Sequence, residues 1–348
     1  MPDPVTDLAL RLLKQPIDAI PRYRLIRDVL HESPTSRLVD EARTDAMSSP
    51  QVAWLANEQQ ADGSWGHFQR RSSERDEFDT VVAGQSVRQA VRTTDAALLR
   101  AACLGMDRQH PVIQRALVYL ENLLVGSVGE QDGREPDTGN VAKRDLLIAA
   151  RIRVFDEENQ LAQPIADRWV QLLTDTFVGG TYQELRYLES FESLFGQPAV
   201  RDENLPFSGP VLMLVRGLLP YPIEEAYTRH LMEEVRGITG VHHRALHHLP
   251  LDFPTLESMR FLAAVELLAA YPSAEPFLEE AKTWLWEQMS PSGRWDLGQV
   301  SRDGICLPLS PNWRKPFDRE VDSTVRMLLL LQNMQISCDL RQNLCHTR

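Results

Sequence analysis

The chain has 348 residues, of which 49 are acidic and 37 are Lys or Arg, so its formal net charge at pH 7 is −12. With 43% hydrophobic and 25% charged residues, it has the composition of an ordinary globular protein. The acidic balance argues against a nucleic-acid partner, because phosphate contacts need clustered Lys and Arg. No run of about 18 apolar residues occurs, so no transmembrane segment is expected.

The N-terminus and the cysteines predict a cytoplasmic protein. Asp3 and Asp7 precede the first apolar stretch, and acidic residues at this place do not suit a signal peptide. The four cysteines are scattered and form no Cys-x-x-Cys pair, a pattern that favours a reducing compartment over a disulfide framework. They are Cys103, Cys306, Cys338 and Cys345.

Helical periodicity dominates the whole chain, and no segment shows the alternating pattern of a β-strand. Clusters of Gly, Pro, Asp and Asn, such as 126–140 and 290–304, separate the apolar segments and predict breaks between helices. In chain order, the predicted helices are 4–13, 21–31, 36–45, 50–60, 93–104, 111–125, 141–155, 160–177, 181–195, 209–219, 222–236, 255–271, 274–289 and 319–335.

The predicted helices come in pairs, in which a strongly apolar helix with a polar opening precedes a more amphipathic one. The openings fall near 50, 94, 142, 182, 256 and 321. Such spacing indicates an internal repeat of stacked helical hairpins, because one hairpin cannot bury its apolar face alone. An irregular helical bundle is the alternative.

Two segments share a motif in which Gln is followed by a short turn and then by Gly-x-Trp. The first is LANEQQADGSWG, with Gln59, Gly63 and Trp65, and the second is WLWEQMSPSGRW, with Gln288 and Trp295. Gly permits the left-handed backbone that often ends a helix, and Gln can bind carbonyls exposed there. Trp offers a large flat surface that can seal adjacent repeats.

This pattern resembles the QW motif of the squalene/oxidosqualene cyclases and the related repeats of protein prenyltransferase β-subunits. The resemblance implies an all-α fold, namely an α/α toroid in which about six helical hairpins form a single ring around a cavity. Residues 1–35 would be a helical extension packed on the ring, and residues 36–348 the toroid domain. The motif residues would clasp neighbouring repeats and take no part in catalysis.

The cyclases protonate their substrate with an Asp-x-Asp-Asp motif, which this chain lacks. Its nearest acidic run, at 76–79, is interpreted as a solvated loop. The alternative is that Asp76 and Asp79, one helical turn apart, hold a metal ion. At this length, one ring is the most that the chain can build.

The prenyltransferases hold zinc with Asp, Cys and His. Asp303 and Cys306 lie close together in sequence, but an ordinary loop is favoured over a zinc site there. A second group with metal-ligand spacing consists of histidines, for which a structural or surface role is favoured over metal binding or gating: His242, His243, His247 and His248. No metal or cofactor is predicted.

Polar residues that open the predicted inner helices would converge on one rim of a toroid. Acids among them are the predicted catalytic residues: Asp95, Glu184, Glu257 and Asp322. The predicted substrate-binding residues are Arg186, Tyr187, Arg260, Trp313 and Arg326. Ordinary helix capping and pairs at i,i+3 or i,i+4 are the alternative explanation.

The sequence therefore predicts a terpenoid cyclase-like or prenyltransferase-like protein that acts on an apolar isoprenoid in a central cavity. Aromatic residues would line that cavity and stabilise carbocations through their ring faces: Tyr182, Tyr187, Phe191, Phe195, Trp313 and Phe317. A non-catalytic toroid that binds a lipid-like ligand or a protein partner is the alternative. A third hypothesis is a toroid that cleaves sugars with two carboxylates.

Overall fold

The computed structural model describes residues 3–68, 92–126, 141–199, 204–234 and 236–346. Within these ranges the chain is all-helical, with fourteen α-helices and no β-strand. The helices are α1 (Pro4–Leu13), α2 (Ala19–Arg24), α3 (Arg37–Met47), α4 (Pro50–Glu58), α5 (Thr94–Cys103), α6 (Pro111–Leu124), α7 (Val141–Phe155), α8 (Gln163–Thr176), α9 (Glu184–Phe195), α10 (Gly209–Val215), α11 (Tyr221–Glu233), α12 (Leu256–Leu268), α13 (Glu275–Glu287) and α14 (Pro316–His346).

The prediction of an all-α protein is confirmed, and each predicted helix overlaps one of these fourteen. Local signals explain the agreement at the helix starts. Ser36 and Ser49 accept hydrogen bonds from backbone N–H groups in the first turns of α3 and α4, and Thr93 does the same for α5. Pro111 occupies the first turn of α6, where its missing N–H costs nothing.

The largest difference lies at the last helix, which continues to His346 although the prediction ends at 335. No Gly or Pro follows Pro316, so nothing in the sequence stops the helix. In contrast, α10 ends four residues early, at Val215, because Gly217 takes a left-handed backbone with φ of 71°. No helix in the described ranges combines the length and the apolar character needed to cross a membrane.

The first compact unit comprises Met1–Asp137, Phe253–Leu256 and Gln288–Gln332. Within it α2 packs on α3, and α5 packs on α6. The inward face of α6 follows the helical period and is hydrophobic, with Val112, Ile113, Ala116, Leu117, Tyr119, Leu120 and Leu123 buried. Burial of each larger side chain contributes about 1.5–3 kcal/mol to stability.

The second compact unit comprises Thr138–Asp252, Glu257–Glu287 and Asn333–Arg348. Here α7 packs on α10, and α8 packs on α9. The α8–α9 contact is aromatic: the ring of Trp169 lies 6.1 Å from that of Phe191 and 5.3 Å from that of Phe195. These large rings give this unit a dense core.

Candidate functional site

The first Gln-Gly-Trp segment binds the start of α6. The Gln59 amide donates to the carbonyls of Gly63 and Val112, at 2.9 Å each, and its oxygen accepts from Arg115. The Trp65 indole N–H donates to the Leu55 carbonyl at 2.8 Å, which closes the turn onto α4. These residues therefore join α4, the turn and α6.

The second segment repeats the same turn. The Trp65 backbone N–H donates to Thr94 Oγ1 at 2.9 Å, and the Trp295 N–H donates to Thr324 Oγ1 at 3.1 Å. In both copies the threonine is buried and lies 29 residues after the tryptophan. Gly63 in the first turn and Gly293 in the second turn both have a left-handed backbone, with φ values of 93° and 75°. The two segments are therefore structurally equivalent, and each tethers the helix that follows it.

Asp322, in the first turns of α14, is the most deeply buried of the predicted catalytic acids, with 0% exposure. Its Oδ2 accepts from the Leu309 and Ser310 N–H groups at 2.7 and 2.8 Å, and from the Trp313 indole N–H at 2.7 Å. Its Oδ1 lies 2.6 Å from the Ser310 hydroxyl. One carboxyl group thus accepts hydrogen bonds from four donors of the 303–313 loop.

Burial raises the pKa of Asp322 to about 6, even though its hydrogen bonds with Ser310, Leu309 and Trp313 oppose the rise. The neutral form of this carboxyl group is therefore favoured more than in a free side chain. Since Oδ2 already accepts three N–H groups, the proton must sit on Oδ1. The site can thus hold a proton away from water.

Arg100 on α5 binds backbone carbonyls of the same loop. Its side chain is 1% exposed and donates to the carbonyls of Ile305 at 2.9 Å and Pro308 at 2.5 Å. The Asp303 carboxylate accepts from the Ile305 and Leu307 N–H groups at 2.8 and 3.0 Å. The loop backbone is therefore held by a cation on its carbonyls and by anions on its amides.

Three further ionisable groups complete the cluster, namely one arginine and two thiols. Burial raises the pKa of Asp303, while the charge of Arg326, which is also buried, opposes that rise. The sulfur atoms of Cys103 and Cys306 lie 3.3 Å apart. We call this group the loop cluster: Arg100, Cys103, Asp303, Cys306, Asp322 and Arg326.

The loop cluster contains two of the predicted site residues, Asp322 and Arg326, and a third, Trp313, donates a hydrogen bond to Asp322. Asp95 is half-buried on α5 in the same unit, where its backbone N–H donates to the Phe68 carbonyl. The remaining predicted residues belong to the second unit: Glu184, Arg186, Tyr187, Glu257 and Arg260.

The second-unit residues have surface or packing environments. Glu184 and Arg186 are exposed, and Glu257 forms an exposed ion pair with Arg244. Arg260 is half-buried. Tyr187 is buried in a row of aromatic rings, with centroid distances of 6.4 Å to Tyr182, 5.7 Å from Tyr187 to Phe191 and 4.7 Å from Phe191 to Phe195.

The histidine segment forms turns, so the helical i,i+4 pair considered from the sequence does not form. His247 and His248 are exposed, with ring centroids 4.1 Å apart. His242 is buried against the edge of Phe261, and burial lowers its pKa to about 4. No three His, Cys, Asp or Glu residues in the described part of the chain are grouped to hold a metal ion. The acidic pair Asp76 and Asp79 lies outside the described residues.

Sequence reasoning missed Arg100, Cys103 and Ser310 as members of the site. For Arg100 a signal was present, because it lies on the same helical face as Ala97 and Ala101, which are buried. A lone Arg on an apolar face needs buried acceptors, and here the acceptors lie 205 and 208 residues away.

Comparison with protein-family models, curated proteins and solved structures finds no match to this chain.

Proposed function

We propose that this chain is a terpenoid cyclase-like protein that acts on an apolar isoprenoid, with Asp322 as its acid. The two equivalent turns support the proposal, because each joins a Gly-x-Trp segment to the following helix by the same hydrogen bond. The proposal includes the α/α toroid over residues 36–348, the extension over 1–35 and a cytoplasmic location.

The single observation that carries the proposal is the environment of Asp322. An acid that protonates a carbon–carbon double bond must keep its proton in a site without water. Asp322 has 0% exposure, and burial raises its pKa to about 6. In the reaction, the Oδ1 proton would pass to one alkene carbon and leave a carbocation on the other. The carboxylate that remains is stabilised by three N–H donors on Oδ2.

A second candidate is a non-catalytic protein that binds a lipid-like ligand. One observation favours it: the four hydrogen-bond donors to Asp322 all come from the 303–313 loop. A carboxylate that fastens a loop in this way is fully used in stabilising the fold. In the first candidate Asp322 transfers its proton to the substrate, and in the second candidate it does not.

Turnover measured with an isosteric variant separates the two candidates. The full-length protein is incubated with squalene and with linear polyprenyl diphosphates, and products are identified by gas chromatography and mass spectrometry. In Asp322→Asn the amide oxygen can replace Oδ2 and accept the same three N–H groups, while the NH₂ group donates to Ser310. The variant therefore keeps the loop but has no acidic proton. Asp296→Asn, in the same unit, is the control.

The proposal expects cyclic product from the native chain and from Asp296→Asn, and a loss of at least 100-fold in Asp322→Asn. Equal turnover by Asp322→Asn would disprove the role of this acid. An isoprenoid that is extracted from the purified protein, without turnover, would favour the binding protein. Neither bound lipid nor turnover would contradict both.

A further inference from the structure

Two cysteines that are far apart in sequence lie side by side in the first unit. Cys103 is the last residue of α5, and Cys306 lies in the 303–313 loop, 203 residues later. Their sulfur atoms are 3.3 Å apart, and both thiols are free and half-buried. A disulfide requires the sulfurs to approach to about 2.05 Å, which is a short movement from this position.

Two arginines, one buried and one half-buried, hold both backbones in place. Arg100, one turn before Cys103, donates to the carbonyls on either side of Cys306, those of Ile305 and Pro308. Arg24 donates to the carbonyls of Ala102 at 3.2 Å and Cys103 at 2.5 Å. The approach of the two thiols is therefore fixed by contacts that do not involve the sulfurs.

The two thiols differ in their electrostatic environment. The hydrogen bond with Cys306 lowers the pKa of Cys103, and the positive charges of Arg24 and Arg100 lower it further against the effect of burial. The same neighbour and burial raise the pKa of Cys306. These shifts favour the thiolate, which is the nucleophile, at Cys103 over Cys306.

We propose that Cys103 and Cys306 form a reversible disulfide within one chain when the protein meets hydrogen peroxide. In the first step the Cys103 thiolate attacks one peroxide oxygen, an S–O bond forms, the O–O bond breaks, and the released hydroxide takes a proton to become water. In the second step the Cys306 sulfur attacks the sulfenic sulfur, an S–S bond forms, and the S–O bond breaks. The second hydroxide leaves as water with the Cys306 proton.

The electrons balance, because the two sulfurs together lose two electrons and the peroxide gains two. The bond would link α5 covalently to the loop that supplies the hydrogen bonds to Asp322. The inference does not depend on the proposed cyclase activity, since its evidence is the state of two thiols and not turnover.

The test uses the full-length chain treated with one equivalent of hydrogen peroxide, and then with N-ethylmaleimide under denaturing conditions. Trypsin places the two thiols in separate peptides, 101–108 and 303–314. The expected result is one cross-linked species of these two peptides, without the alkylating group, which dithiothreitol converts to the free peptides.

Three variants sharpen the test. In the double variant Cys338→Ser/Cys345→Ser only the proposed pair remains, and the monomer should lose the mass of two hydrogen atoms. In Cys306→Ser the disulfide cannot form, so dimedone should trap the Cys103 sulfenic acid. Cys103→Ser should leave Cys306 unlabelled by dimedone.

Three results would overturn the inference. These are alkylation of both peptides after peroxide treatment, a cross-link found only between two molecules, and equal dimedone labelling of Cys103→Ser and Cys306→Ser. Peptide mapping uses the unaltered chain, so the presence of the disulfide can be tested even when a variant fails to fold.

Discussion

Replacing Asp322 by Asn tests the environment of the loop cluster through the pH dependence of stability. In the folded protein the pKa of Asp322 is about 6, against 3.8 for a free side chain. The folded chain therefore binds this proton more tightly than the unfolded chain. The stabilising contribution is fully present below about pH 3.8 and is lost as the pH rises through about 6.

The difference between the two pKa values corresponds to about 3 kcal/mol. Asn does not titrate, so the native chain should lose about 3 kcal/mol of unfolding free energy relative to Asp322→Asn between pH 3.5 and 7.5. His242 titrates in this range, but it does so in both proteins and drops out of the difference. Arg100 keeps its charge throughout.

The assay is urea denaturation followed by circular dichroism, at half-unit steps of pH. Asp296→Asn is the matched control, because two hydrogen bonds from Arg319 at 2.8 and 2.7 Å lower the pKa of Asp296. Its contribution is present above the pKa of the unfolded chain and is lost as the pH falls, so the trend should have the opposite sign. A difference for Asp322→Asn that is flat, or that grows with pH, would refute the reasoning.

Other positions give further expected outcomes. Arg100→Met removes the donor to the Ile305 and Pro308 carbonyls and should lower the free energy of unfolding in urea by about 3–5 kcal/mol. A loss below about 1 kcal/mol would contradict the role of Arg100 in holding the loop. Gly63→Ala places a methyl group 2.3 Å from a backbone oxygen at φ of 93° and should cost more than Gly126→Ala, which has φ of 68° and open space. Thr94→Val and Thr324→Val each remove the acceptor for a buried N–H and should cost about 1–3 kcal/mol each. Unequal costs would count against equivalent turns.

The helices were predictable because their boundaries are set locally. A Ser or Thr cap, a first-turn proline and a left-handed glycine act within a few residues of the helix end that they define. Ser49 and Pro50 mark the start of α4, and both are readable from the sequence alone. The extension of α14 past 335 was missed because polar residues there weaken the apolar period while no breaker occurs.

The loop cluster was only partly predictable because its contacts are distant in sequence. Asp322 and Trp313 lie nine residues apart, and both were singled out. Arg100 and Cys103 meet the loop across more than 200 residues, and no periodicity within a window reports such a contact. A charged residue on an apolar helical face signals only that a buried partner exists.

The two Gly-x-Trp turns and the loop cluster are connected through the two threonines. Thr94 begins α5 and Thr324 lies near the start of α14, so each of the two equivalent turns fixes one helix. Each of those helices also carries a buried side chain that hydrogen-bonds to the 303–313 loop. Arg100 binds the loop carbonyls, and Asp322 binds the loop amides. Desolvating Arg100 and Asp322 costs several kcal/mol each. Their hydrogen bonds to the loop offset that cost only when the loop is held in one conformation. The turns therefore help to set the positions from which Arg100 and Asp322 hold the loop.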